Sequence, residues 1–366
     1  MSLHPFNTAD DIVEIDPTTL VTSTWSNNTN DLNIQTQWTA SSQGGNDGMT
    51  SPTSSGTFFI DVYNTVTGSS SAEVQFSLAY GNHKGSGSPD FTNDTGSLGI
   101  GASRVTYGQY RNLIFDNETS KFTFGNYTPD GIYVINVNRS RYKQQLSPGS
   151  LNLHISGSPV TESTTQEFIH LTDDSVFRSA SLTNPNYVGP NLGGYYHVVS
   201  GSNGTPILDT VNQLTIDSTA SCYGFFYPKA GLIILNGDAF SASIGTQGTN
   251  GAFNTGNQTT YDKPHQKFFD HMVAGGTFIV DSEETINSTF YFVRAKNSQF
   301  NYTNNASFVD EDNRILHASM KNNPKVFITT VGLYNTANEL VAVAKLSQPV
   351  AKDFTKEALV RVKLDY

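Results

Sequence analysis

Charged side chains are scarce in this 366-residue chain, at 14%, against roughly 25% in ordinary globular domains. Those present are unevenly signed, with 21 Lys and Arg against 32 Asp and Glu and a net charge of −11. A non-specific nucleic-acid binder needs clustered cations to displace counterions. The nearest approach here is Arg139, Arg141 and Lys143, read as a solvated strand end. The single cysteine, Cys222, excludes an intrachain disulfide framework. The opening MSLHPFNTADDIVEIDP has neither the basic nor the apolar region of a signal peptide. No apolar run reaches the ~20 residues of a membrane span. Ten Asn-x-Ser/Thr sequons (at Asn27, Asn93, Asn117, Asn126, Asn138, Asn203, Asn257, Asn287, Asn301 and Asn305) are what an Asn- and Thr-rich chain produces by chance, and none is read as glycosylated. These absences point to synthesis in a reducing cytoplasm.

Chemical signatures are scarce as well. The chain has no GxxxxGK[ST] phosphate loop, no HExxH and no GxSxG elbow. Gly99 and Gly101 form a GxG without its third glycine. Asp310, Glu311 and Asp312 open like a calcium loop, but the central Gly is missing and Lys321 occupies the twelfth position. Asp173–Asp174 and Glu283–Glu284 are adjacent carboxylates, which on a strand point to opposite faces, so they read as acidic turns. The eight histidines are scattered, and His265 and His271 are six apart on one candidate helix, not a same-face spacing. Cys222 has no basic neighbour closer than Lys229, as expected of a buried, inert thiol. The sequence therefore assigns no catalytic, cofactor-binding or metal-binding residue.

What is abundant is Ser, Thr, Asn, Gly and aromatic residues, with 23 Phe and 17 Tyr. These suit pleated surfaces and their turns, and the aromatic content argues against disorder. The fold expected is mainly β: one or two sandwich- or barrel-like domains with long loops, an extended N-terminal arm and one short helix. Residues 1–55 are mostly polar and read as an arm ordered by a neighbour. Short strands bounded by Gly, Pro, Asn or Asp are expected at 56–63, 71–80, 104–115, 121–124, 132–142 and 151–155, forming a β domain over 56–160. A second β domain is expected over 161–325. It contains a long loop at 237–260 and a helix near 263–274, with Asp262 as N-cap, Phe268, Phe269, Met272 and Val273 as apolar stripe, and Gly275 and Gly276 as stop. Residues 326–366 read as a hairpin with a turn at 335–338 and a strand break at Pro349. A final strand follows, in which Val360, Val362, Leu364 and Tyr366 alternate with Arg361, Lys363 and Asp365.

Several segments together resemble a family of virion structural proteins of contractile-tailed phages, notably those of marine cyanobacteria. They are ASRVTYGQYRNLIF, GIYVINVNRSRYKQQL, LTDDS, YGFFYPKAGLIILNG and NPKVFITTVGLYNTANELVAVAKLSQPV. The resemblance spans most of residues 72–366. The last hairpin is also similar to a segment of phage tail-collar fibre proteins. The resemblance implies a non-enzymatic subunit assembled in the host cytoplasm into the virion, and the first reading places it at the tail baseplate or fibre attachment. Its partners would be other virion proteins and further copies of itself, with no nucleic acid, membrane span or cofactor. The alternatives are a head decoration or neck protein, and a carbohydrate-binding adhesin or tailspike in which Tyr195 and Tyr196, beside His197, would be the residues to watch.

Overall fold

The computed structural model describes residues 4–25, 39–42, 59–65, 70–85, 102–125, 127–156, 168–176, 192–207, 222–244, 264–273, 276–302 and 305–366. Among the described residues the protein is mainly β, with 49% strand and 13% helix, as expected. It divides into two compact units, one of residues Met1–Leu20 with Thr285–Tyr366 and one of Val21–Glu284. The boundary expected at 160/161 is not one of them, because a single sheet runs across it.

That sheet belongs to the larger unit. Its strands are β2 (Thr39–Ser42), β3 (Phe59–Tyr63), β4 (Val74–Asn82), β5 (Gly131–Val137), β7 (Asn152–Ser156), β8 (Phe168–Asp173), β9 (Tyr196–Ser202), β10 (Thr205–Pro206), β11 (Gly224–Tyr227), β12 (Leu232–Asn236) and β13 (Thr277–Ile279). They pair in the order β13-β7-β8-β9-β11-β12-β5-β4-β3-β2, with β10 on β9. β5 and β12 pair antiparallel from Ile132↔Asn236 to Asn136↔Leu232, which joins the two expected β domains into one curled sheet.

Alternation along these strands sorts side chains onto two faces. One face carries Phe76, Leu78, Tyr133, Ile135, Ile233, Leu235, Phe226, Leu171 and Leu153. The other carries Ala79, Ile132, Val134, Ile234, Phe225 and Tyr227. Each is covered by helix. Both faces of the central strands are therefore buried, which is why their sequences are continuous apolar runs.

The first face is closed by Phe240 of α2 (Gly237–Ile244) and Phe268, Phe269 and Met272 of α3 (Pro264–Val273). The expected stripe of α3 is thus its buried face, while Asp262 and Gly275 lie outside the described residues. α2 replaces the start of the expected 237–260 loop. The buried Asn236 side chain accepts from the N–H groups of Asp238 at 3.1 Å and Ala239 at 3.3 Å, an N-cap that starts a helix where the Gly-rich composition read as coil.

The second face is covered by α1 (Ala102–Phe115), where a strand was expected. Its Val, Thr, Tyr, Ile and Phe content mimics a strand. However, Ser103, Tyr107 and Ile114 are buried and Tyr110 packs beside them, a spacing of 4, 3 and 4 that marks one helical face. The Tyr107 hydroxyl accepts from the N–H of Phe122 at 3.0 Å, fixing the helix to the chain that returns toward β5. Around the expected 121–124 strand there is an isolated bridge, Phe124↔Tyr127.

The smaller unit is a two-layer arrangement. β1 (Ile12–Ser23), β14 (Asp281–Ala295) and β17 (Ala358–Asp365) form a sheet in that order, with β6 (Gln145–Leu146) pairing the first residues of β14 within the larger unit. β15 (Val326–Tyr334) and β16 (Leu340–Lys352) form the hairpin. Val331 and Leu333 of the hairpin and Val360 and Val362 of β17 share one buried cluster, with Phe6, Tyr291, Val293 and Leu364 against it. The turn is where it was expected, closed by the Asn335 side chain accepting from Ala337 and Glu339 N–H, with Asn338 in the left-handed region at φ 62°.

Two expectations fail in this unit. β16 continues through Pro349, which sits where the register slips between Ile328↔Val350 and Thr330↔Lys345. A residue without an N–H is tolerated in such a slip. Tyr366 is 72% exposed rather than core-facing. Its backbone still exchanges two hydrogen bonds with Asn287, both 3.0 Å, so the strand pairing reaches residue 366. β1 lies inside the segment read as an arm ordered by a neighbour, and it pairs with β14 of the same chain.

Candidate functional site

Asp173 ends β8 and Asp174 follows it, and the two carboxylates go to different partners. Asp173 is fully buried and its carboxylate accepts from the N–H groups of Gly149 (2.9 Å), Ser175 (3.1 Å) and Leu151 (3.3 Å). Burial pushes its carboxyl pKa up, and these hydrogen bonds pull it back. Asp174 accepts from the N–H of His197 at 2.9 Å and lies 3.3 Å from His197 Nδ1.

A carboxylate holding a histidine is part of an acid–base apparatus. The imidazole, however, faces the rings of Tyr195 at 5.5 Å and Phe225 at 5.8 Å. Among the described residues its partners are Asp174 and these two rings, and no hydroxyl or thiol nucleophile is placed against it. Tyr195 is buried in the second cluster against Phe225 and Tyr227, while Tyr196 packs on the first. The two tyrosines named for a sugar-binding alternative are thus core residues of opposite faces.

Glu283 accepts from Gln145 Nε2 and, at 3.0 Å, from Ser147 Oγ. Asp173 and Glu283 therefore anchor the same 145–151 segment. Two carboxyls facing one another across a cleft, as glycosidases require, are not formed by them. Glu284 is half-buried on β14.

The remaining flagged residues have structural partners. Asp310 Oδ1 accepts from the N–H of Arg314 at 2.6 Å, and Asp312 lies 3.4 Å from the Arg314 guanidinium. The acidic run is a turn closed by its own arginine. Arg139 to Arg141 form a 3-10 turn beyond β5. Arg139 lies 4.6 Å over the Tyr142 ring and Arg141 pairs with Glu73 at 2.7 Å, so this basic group is committed within the chain. Cys222 is buried, its thiol 3.6 Å from the Gly224 carbonyl. His265 and His271 are buried on α3. Gly99 and Gly101 lie outside the described residues.

One cluster was not visible in the sequence. β7 and β8 place His154 opposite His170, their rings 3.9 Å apart. Ser202 Oγ lies 3.3 Å from His154 Nε2 and 3.4 Å from His170 Nδ1. Burial, then the neighbouring His170, pushes the His154 pKa down to about 4. Sixteen positions separate the two in sequence, and only the register brings them together. Among the described residues no group of three or more His, Cys, Asp or Glu is placed to hold a metal, and no helix is long and apolar enough to cross a membrane.

The smaller unit presents exposed strand faces. β1 has ten of its twelve residues exposed, including Val13, Ile15 and Leu20 in this unit and Val21 where the strand continues into the larger one. The outward residues of the hairpin include Phe327, Leu340, Val341 and Val343, with Val341 66% exposed. On β17, Leu359, Arg361 and Lys363 face out in register with Arg294, Phe292 and Phe290 of β14, and Arg361 lies 4.9 Å over the Phe290 ring.

Comparison with family models, with curated proteins and with solved structures returned no match to this chain.

Proposed function

We propose that the chain is a non-enzymatic structural subunit of a contractile-tailed phage particle, placed at the tail baseplate or fibre attachment and working through protein–protein contacts with other virion proteins and with further copies of itself. The observation that carries the reading is β1. A strand twelve residues long with ten exposed is an uncovered sheet edge, which soluble proteins usually shorten, charge or cover. A neighbouring subunit that covers Val13, Ile15, Leu20 and Val21 gains apolar burial at about 25 cal/mol per Å² and can extend the sheet by strand addition. Pro17 within β1 limits pairing there to one stretch on either side. The resemblance over residues 72–366 points the same way. The flagged carboxylates support a non-enzymatic role, because each that is buried holds backbone or a neighbouring side chain.

Mass spectrometry of purified tailed particles from a host carrying the gene tests this. Peptides of the chain are expected at several copies per particle, and Val13→Asp with Ile15→Asp should deplete it while the free protein stays folded. Absence from the particles, or undiminished incorporation of the double variant, overturns the reading. Single Asp173→Ala, Asp174→Ala, Glu283→Ala and Glu284→Ala variants should leave any polysaccharide-processing activity of the particles unchanged wherever assembly survives.

A further inference from the structure

Within the smaller unit, the segment after β14 bends around a cavity of about 400 Å³ whose lining includes His4, Phe300, Asn301, Tyr302 and Phe354. Three aromatic rings border it and none is packed away: Phe300, Tyr302 and Phe354 are 44%, 49% and 50% exposed. Phe300 holds φ at 55°, a left-handed conformation that a bulky side chain rarely adopts. The backbone is kept there by Gln299 N–H donating to the Lys296 carbonyl at 3.0 Å and by Asn301 Nδ2 donating to the Asn297 carbonyl at 2.6 Å. The Tyr302 hydroxyl donates to the Asn313 carbonyl at 3.1 Å, which leaves its oxygen able to accept. Ser298 and Gln299 add further polar groups to the lining.

A charge lies behind this wall. Lys352 is 1% exposed, and its ammonium donates to Asn301 Oδ1 at 2.7 Å and to the Asn297 carbonyl at 3.2 Å. Both acceptors are neutral, so the positive charge is not cancelled by a direct carboxylate contact. An aromatic-bordered cavity alone would suit a quaternary ammonium ion as well as a neutral ring. The polar groups of Ser298 and Gln299 beside the rings favour the neutral ring of a sugar, whose hydroxyls they can pair with.

We infer that this cavity binds a neutral saccharide, its C–H faces stacked on Phe300, Tyr302 and Phe354 and its hydroxyls bonded to Ser298 and Gln299. Its size is within the ordinary range for small-ligand sites, about 300–1,000 Å³, and accommodates a mono- or disaccharide. Neither Tyr195 nor Tyr196 contributes, so the site is separate from the pair that the sequence suggested for sugars. It goes beyond the assembly role and is read on the free chain.

Saturation-transfer NMR on the full chain tests the inference, using the methyl glycosides of glucose, galactose and N-acetylglucosamine as probes and choline as the cationic control. At least one glycoside is expected to bind in the roughly millimolar range and choline not at all. Phe354→Ala, a change at a half-exposed side chain, should weaken that glycoside about tenfold, equivalent to ~1.4 kcal/mol, with an unchanged melting temperature. Phe300→Gly relieves the left-handed strain and removes a ring, so it should weaken binding while raising or preserving stability. Binding of choline in place of the glycosides, binding of no probe, or glycoside binding indifferent to both variants overturns the assignment.

Discussion

In the larger unit, β5 and β12 are buried on both faces, whereas in the smaller unit β1 is exposed along almost its whole length. The charges divide in the same way. Residues 21–284 hold eleven Lys and Arg against twenty-one Asp and Glu, whereas the other unit holds ten against eleven. Nearly all of the net −11 is therefore carried by the larger unit, whose central strands are buried on both faces. Like charge there discourages non-specific association. The near-neutral unit keeps Val341, Phe327 and Leu359 in solvent with little net charge to repel a neighbour. In the proposed assembly the smaller unit is the one that a neighbour covers.

The largest effect expected from this contrast is in the first core. Phe278 is fully buried, 5.1 Å from the Phe76 ring and 5.2 Å from that of Trp25, whose indole N–H donates to the Phe278 carbonyl at 3.1 Å. Phe278→Ala should destabilise the larger unit by ~3–5 kcal/mol in denaturant titration. Val343→Ala on the outer face of β16 should stay within ~0.5 kcal/mol. Equal costs would erase the distinction.

Deleting residues 360–366 is the intermediate case. It removes the buried Val360 and Val362, at ~1.5–3 kcal/mol for each fully buried large apolar side chain, and strips β14 of its partner from Ser288 to Val293. Limited proteolysis should then cut the smaller unit quickly and leave 131–137 and 232–236 protected. Tyr366→Ala alone, at a 72% exposed position, should behave like the parent. Equal cleavage of both units would show that they do not fold separately.

The smallest effect is on pH dependence. The His154 pKa is lowered from 6.5 to about 4 in the folded protein, so between those values the unfolded chain binds more protons. Stability from this group is complete above 6.5 and is lost as pH falls toward 4. The groups facing His154 are His170 and Ser202, with Thr277 opposite it on β13. A shallow decline in melting temperature is expected from pH 7 to pH 5, and it should flatten in His154→Gln. An identical decline in that variant would assign the effect elsewhere.

Patterns confined to one element were legible in the sequence: the α3 stripe, the Asn335 turn and the alternation of β17. The mainly β class followed from composition. α1 was misread because its β-branched and aromatic residues carry strand propensity, and only the packing of Tyr107 and Phe115 against Phe122 selects the helical period. The division into two units depends on β1 joining β14, a pairing of segments from opposite ends of the chain that no local pattern encodes. The His154–His170 pair needs the β7–β8 register for the same reason. The saccharide cavity rests on Phe300 in a left-handed conformation and on Lys352 arriving from 51 positions away in sequence, neither of which has a motif.

Hydrogen exchange on β1, compared between the free chain and the assembled particle, tests the central contrast most directly. In the free chain, amides of 12–20 should exchange fast while those of 131–137 and 232–236 resist. In the particle, 12–20 should become protected, with little change in the larger sheet. Slow exchange of β1 in the free chain, or fast exchange of β1 that persists in the particle, would contradict the account.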